Sequence, residues 1–230
     1  MKRFRCLVVV LTLSASASVA GAQTRPAQAA AAPTDVYHVM FVKAAPGQAA
    51  ALEKELLQQD PKDPMASHFV LLRHQEGADW DYCLIGHVGT KASVEITPLP
   101  PAAATPTRAW HDDTFAAGPS WPEFQKAMGL AGAPAGNPVF VVGTQRAVPG
   151  HRDQLLQALN RTDPASKVPV SNLILTHVEG GSWQFLTLSR YNSWQDFAAD
   201  RVAAAGGGAG WHEVRQHSAS HSDTIADRVR

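Results

Sequence analysis

Between Val36 and Val88 the hydrophobic pattern changes period in a fixed order. Val36 to Lys43 is apolar at both odd and even positions, as in a central strand covered on each side. Pro46-Gly47 interrupts it, and Ala49, Leu52 and Leu56 then form one helical stripe. Asp60-Pro61 stops that helix, because the residue before a proline is pushed out of the α region. Phe69 to Glu76 reads as a second strand and Trp80 to Val88 as a third, with the turn Gly77-Ala78-Asp79 making them a hairpin. The pattern then recurs: a strand from Val139 to Arg146, Pro149-Gly150, a stripe of Leu155, Leu156 and Leu159, a stop at Asp163-Pro164, and a hairpin of Leu173 to Glu179 and Trp183 to Tyr191 around Gly180-Gly181-Ser182. The predicted order is β-α-β-β, twice.

The two passages also share residues at a constant offset of 103. Val36, Val39, Ala44, Pro46, Gly47, Leu52, Leu56, Asp60, Pro61, His74, Glu76, Gly77 and Trp80 recur as Val139, Val142, Ala147, Pro149, Gly150, Leu155, Leu159, Asp163, Pro164, His177, Glu179, Gly180 and Trp183. Chance supplies roughly three or four identities over a stretch of this length. A gapless register across strands, helix and turns points to duplication of one supersecondary unit.

Beyond the hairpins the copies diverge. Ser193-Trp194-Gln195-Asp196 opens a helix in the second, with Trp194, Phe197, Ala198 and Val202 on one face. The matching stretch of the first is broken by Pro98, Pro100, Pro101 and Pro106, and a helix start comes later, at Ser120-Trp121-Pro122-Glu123, with proline in the first turn. Both copies then carry one short string, His111-Asp112-Asp113-Thr114 and His221-Ser222-Asp223-Thr224, at an offset of 110, so one copy holds a seven-residue insertion. The expected organisation is a first unit over 35–128, a Gly/Ala/Pro-rich linker over 129–138 and a second unit over 139–230.

The start of the chain is expected to lie outside the fold. Lys2, Arg3 and Arg5 precede the apolar run Leu7 to Leu13, which is too short to span a bilayer, and Ala20-Gly21-Ala22 is a small-x-small cleavage pattern. Residues 1–22 therefore read as a signal peptide and 23–34 as a flexible Ala/Pro/Gln-rich leader, placing the mature chain in the periplasm or outside a bacterium. Cys83 alone survives cleavage and sits in the apolar run Tyr82-Cys83-Leu84-Ile85, as a small buried hydrophobe. With 20 basic and 20 acidic residues and no basic cluster in the mature chain, neither nucleic acid nor an anionic membrane is an expected partner.

β-α-β-β-α-β is the ferredoxin-like unit, whose sheet has helices on one face and an open apolar surface on the other. On this topology and the internal repeat, the chain resembles the dimeric α+β barrel superfamily, which includes antibiotic-biosynthesis-type monooxygenases, stress-responsive barrel proteins and haem-binding chlorite dismutase relatives. The resemblance implies an α+β fold in which two fused repeats make a pseudo-dimeric barrel within one chain, with further homo-oligomerisation left open. These relatives share architecture more than chemistry. The chain does not match the haem-peroxidase signature of the wider group, and nothing in it names a cofactor.

Period two puts His74 on one strand face with Leu72 and Glu76, and His177 with Leu175 and Glu179. If that face lines the space between the sheets, the two histidines and two carboxylates can bind a metal, or His74 and His177 can act as base and acid on an enclosed small apolar molecule, with Glu76 and Glu179 orienting them. The alternative is that the repeated His-x-Glu-Gly only satisfies backbone and pins the turn. His111 and Asp113, and His221 and Asp223, lie two apart on a strand side and either share a ligand or fix the chain where it re-enters the sheet. His38, Trp80 and Trp183 complete the candidate ligand contacts, the tryptophans being packing anchors in the alternative reading. His217 and His221, four apart, would share a helical face, but no third metal ligand lies closer than Asp223, and no metal site is expected there. The function classes in view are an enzyme of the monooxygenase-like or proton-transfer kind, a non-catalytic binder or carrier of a small ligand or a metal, and a filled barrel that binds another protein.

Overall fold

A computed structural model describes residues 33–58, 68–92, 105–131, 136–161, 171–180, 182–205 and 209–229. In chain order the elements are β1 (Asp35–Ala44), α1 (Ala49–Leu57), β2 (Phe69–Glu76), β3 (Tyr82–Thr90), β4 (Arg108–Gly118), α2 (Trp121–Met128), β5 (Val139–Ala147), α3 (Arg152–Leu159), β6 (Ser171–Gly180), β7 (Phe185–Tyr191), α4 (Trp194–Ala205), α5 (Ala209–His217) and β8 (Ser218–Arg228). The eight strands close into one barrel in the order β1-β3-β2-β8-β5-β7-β6-β4. Each neighbouring pair is antiparallel. Read around the ring, β4-β1-β3-β2 is followed by β8-β5-β7-β6, the same relative order, so β2–β8 and β6–β4 are the two seams. Closure leaves no strand edge unpaired.

Strand alternation sorts the apolar residues into an inner and an outer set. One cluster draws on all eight strands: Tyr37, Val39 and Phe41 of β1, for example, face Phe140 and Val142 of β5, Leu175 of β6 and Leu186 and Leu188 of β7. Trp80 and Trp183 join it from the two hairpin turns. Met40, Val42, Leu71 and Leu84 lie on the opposite face of their strands, under Leu52 and Leu56 of α1, and Ala147 and Phe185 lie under Leu155 and Ala158 of α3. Both amphipathic helices thus cover the outside, which is why β1 and β5 are apolar on both faces.

The first helix after a hairpin departs from the ferredoxin-like order. α2 follows β4 instead of preceding it, and adds Trp121, Phe124 and Met128 to the inner cluster. Its start is as the sequence predicts: the backbone N–H and Oγ of Ser120 both donate to Glu123 Oε2, at 3.1 and 2.7 Å. Asp35 Oδ2 also accepts the N–H of Trp121 at 2.9 Å, tying the helix to the beginning of β1. α4 starts where expected, but its apolar stripe stays exposed at Trp194 and Val202. Asp60-Pro61, Asp163-Pro164, the proline-rich stretch 93–104 and residues 1–32 lie outside the described residues. No helix among the described residues is long and apolar enough to cross a membrane.

Candidate functional site

His74 shares the inner face of β2 with Val70 and Leu72 and stands opposite Ala226 of β8. His177 does the same on β6, opposite Ala116 of β4. Each imidazole leans on the indole that follows its own turn: His74 on Trp80 at 5.7 Å between ring centroids, His177 on Trp183 at 5.5 Å. The Nε2 atoms of both histidines are buried without a hydrogen-bond partner, as is Trp183 Nε1. β2 and β6 are four steps apart in a ring of eight, so the two histidines occupy opposite walls.

The recurring string, continued by Phe115-Ala116 and Ile225-Ala226, lies on strands β4 and β8, and its inner positions explain two of its residues. Ala116 and Ala226 are the small residues across the seams from the imidazoles. Thr114 and Thr224 are buried beside them on the inner face, and Thr224 Oγ1 accepts the N–H of Ala78 in the facing turn at 3.1 Å. Each seam is thus built from a histidine and turn of one half against an alanine and threonine of the other.

The carboxylate of Glu76 does not follow His74 inward. The β2–β8 register slips between His74 and Glu76, so that Glu76 pairs with Ile225, the neighbour of Ala226. An extra residue at this bulge cancels the period of two, and Glu76 is exposed. The sequence expectation that Glu76 lines the face of His74 is therefore corrected by the bulge. An irregularity also separates His177 from Glu179 on the other seam, where their backbone partners are Ala116 and Phe115. Val178, between them, is exposed.

A second constellation gathers on the outer wall of β1 and β4. Asp113 Oδ1 accepts from His38 Nε2 at 3.0 Å, and Asp113 Oδ2 lies 3.1 Å from His111 Nε2. His38 is buried, its Nδ1 has no partner, and its ring is 5.7 Å from that of Phe115. His38 thus joins His111 and Asp113, which the sequence offers as a pair, in one chain of contacts. The string on β8 is placed differently. His221 makes an edge contact with Trp211 at 4.8 Å, and Asp223 is exposed on β8. His217 ends α5 and His221 lies in β8, so the two do not share a helix; instead His217 Nδ1 is 3.1 Å from His151 Nδ1.

Sequence reading missed a buried carboxylate. Asp35 Oδ2 is 2.8 Å from His87 Nε2, and His87 stacks on Trp121 at 5.5 Å. Only the pairing of β1 with β3 brings these residues together, although a charged Asp at the head of an apolar strand is a signal in itself. Burial is the main influence on Cys83 and on the three tyrosines. It pushes the Cys83 thiol well above its ordinary range, which removes Cys83 as a nucleophile. It also raises Tyr37, next to which the carboxylates of Asp35 and Glu123 act in the same direction. Among the described residues no three His, Cys, Asp or Glu side chains are arranged to hold a metal ion.

No family model and no curated protein matches the chain. Solved structures do match. An anthrone oxidase-like protein superposes with a TM-score of 0.54 at 16% identity, over 87% of this chain and 93% of its own. A chlorite dismutase-like protein gives 0.48 at 12% identity, over 86% and 96%. A mutant chlorite dismutase from Candidatus Nitrospira defluvii gives 0.43 at 11%, over 85% and 92%. These neighbours belong to the dimeric α+β barrel superfamily. The likeness is one of fold. At such identities it assigns neither substrate nor reaction.

Proposed function

We propose that this protein binds a small, largely apolar molecule inside the barrel and moves a proton on it, with His74 and His177 as base and acid. The observation that carries this reading is the pair of buried, unbonded Nε2 atoms at matching positions on opposite walls. Leaving a buried polar atom unpaired costs about 1–3 kcal/mol, and native proteins keep such atoms chiefly where they do chemistry or meet a further molecule. Of the seven such side-chain atoms among the described residues, the two Nε2 atoms are the pair at matching positions, each beside an indole able to stack on a planar guest. Each neutral imidazole carries one lone pair and one N–H, so with opposite tautomers at Nε2 the two together can take a proton from one atom and return one to another. An eight-stranded barrel is wide enough for one small ligand or for its own side chains, which makes a carrier and a filled barrel the alternatives.

The reading includes duplication of one unit, with both halves of the barrel in a single chain, and export after loss of residues 1–22. Matching strand order supports the first and the charged, apolar and small-residue run at the start supports the second. 2-Tetralone, a flat aromatic ketone with acidic C–H bonds, separates the alternatives. An enzyme should quench tryptophan emission saturably and speed exchange of the ketone's α-hydrogens for solvent deuterium, both lost in His74→Leu/His177→Leu. A carrier should show quenching without exchange. Neither signal would leave the filled barrel and refute the proposal.

A further inference from the structure

The outer wall of β1 and β4 carries a group that the matching wall of β5 and β8 does not. Both pairs have the same register: Met40 faces Asp113 and His38 faces Phe115, as Gly143 faces Asp223 and Val141 faces Ile225. The carboxylate is present on both walls, whereas the imidazole of His38 is replaced by an aliphatic side chain. Closing the barrel therefore does not require a histidine at this position. Asp223 is also placed differently: a Cβ on Gly143 would lie 2.7 Å from Asp223 Oδ1, so this carboxylate leans over bare backbone where Asp113 meets two imidazoles.

We propose that His38 is the proton acceptor of a second ligand site on this outer wall, positioned by Asp113 and His111, and that its ligand is a small planar molecule bearing a weakly acidic hydroxyl, such as a phenol. An ionised carboxylate only accepts hydrogen bonds, so the contact at 3.0 Å makes His38 Nε2 the N–H donor and leaves the lone pair on Nδ1. That nitrogen is buried and unpartnered in a side chain only 10% exposed, and a hydroxyl is the group that would complete it. On transfer the ligand O–H bond breaks with its electron pair staying on oxygen, a bond to Nδ1 forms, and the imidazolium's Nε2–H faces the carboxylate that stabilises it. His111 Nε2 lies 3.1 Å from the second oxygen of Asp113 on the more open side, with 30% of its side chain exposed. Phe115, beside the His38 ring, offers an aromatic surface to a flat ligand.

The test uses the whole chain and 4-nitrophenol, whose phenolate absorbs in the visible, at a pH below the phenol's own pKa. Adding wild-type protein should produce a saturable phenolate band. His38→Gln keeps a donor to Asp113 but cannot take a proton, and His38→Val copies the wall of β5; both should abolish the band, with circular dichroism confirming the fold of each. Asp113→Asn should keep nitrophenol affinity within about threefold while the phenolate-to-phenol ratio falls about tenfold, the effect of one unit of lost basicity. A merely structural role for Asp113 would lower affinity and leave the ratio of bound forms unchanged. No band with wild type, or an undiminished band in His38→Gln, overturns the proposal. A band lost in His74→Leu/His177→Leu but kept in His38→Gln would also overturn it, while leaving the interior reading intact. Loss of tetralone exchange in a protein that still ionises nitrophenol would remove the interior reading alone.

Discussion

Replacing His74 or His177 by leucine should make the protein more stable. Each Nε2 is buried without a partner, so the folded state bears a desolvation cost of about 1–3 kcal/mol that leucine does not. Leucine is close to histidine in volume, and an imperfect fit against Trp80 or Trp183 should cost less than about 1.5 kcal/mol. The expected net change is a gain of about 1 kcal/mol per site, with the sites adding to within about 0.5 kcal/mol because opposite walls share no partner. In urea this appears as a higher midpoint at unchanged slope, and on heating as a rise of about 2–4 °C per substitution. The gain should accompany lost tetralone binding, as for a site held at the expense of stability. A loss of more than about 1 kcal/mol from either substitution would refute the reasoning, since it would show that the imidazole is bonded in the native protein and belongs to the turn.

All three tyrosines are buried, Tyr37 with a raised pKa and Tyr82 and Tyr191 pushed up to about 12, burial being the main cause in each. Native protein at pH 10–11 should therefore show little phenolate absorbance near 295 nm; the unfolded chain ionises first, so stability should be flat below about pH 10 and fall from there towards 12, and full ionisation in the native state at pH 10 would contradict this. The Cys83 thiol should resist alkylation until the protein unfolds, and rapid native labelling would show that it is accessible. Gly118→Ala would put a Cβ 2.4 Å from Leu175 Cδ2 and 2.8 Å from Tyr37 Cε2, at the β4–β6 seam, and should destabilise by about 1–3 kcal/mol, with part of that cost recovered when Leu175→Ala is added; strict additivity in urea unfolding would count against the contact. Expressed alone, Asp35 to Gly129 leaves β2 and β4 without their seam partners and should dimerise or aggregate, so a soluble, cooperatively folding monomer would rule out the closed barrel as the folding unit.

The periodicity of the chain was enough for β1, β2, β5 and the stripes of α1 and α3, because local alternation and turn chemistry specify a strand or helix without reference to distant residues. It also put His74 on one face with Val70 and Leu72, but Phe69 and Leu71 on the other face are as apolar, so closure of the barrel decided which face is the inner one. Tertiary pairing decided the rest. Glu76 leaves the inner face because β2 must slip by one residue to meet β8, a strand some 150 positions away whose register no local pattern encodes. Ala116 and Ala226 acquire meaning only as neighbours of His177 and His74 across the seams. Asp113 meets His38 because β1 lies beside β4, which in sequence are separated by a helix and a hairpin. Periodicity reports which side of its own strand a residue occupies; which other strand faces it is set by closure of the barrel, where one ring of backbone hydrogen bonds must accommodate all eight registers at once.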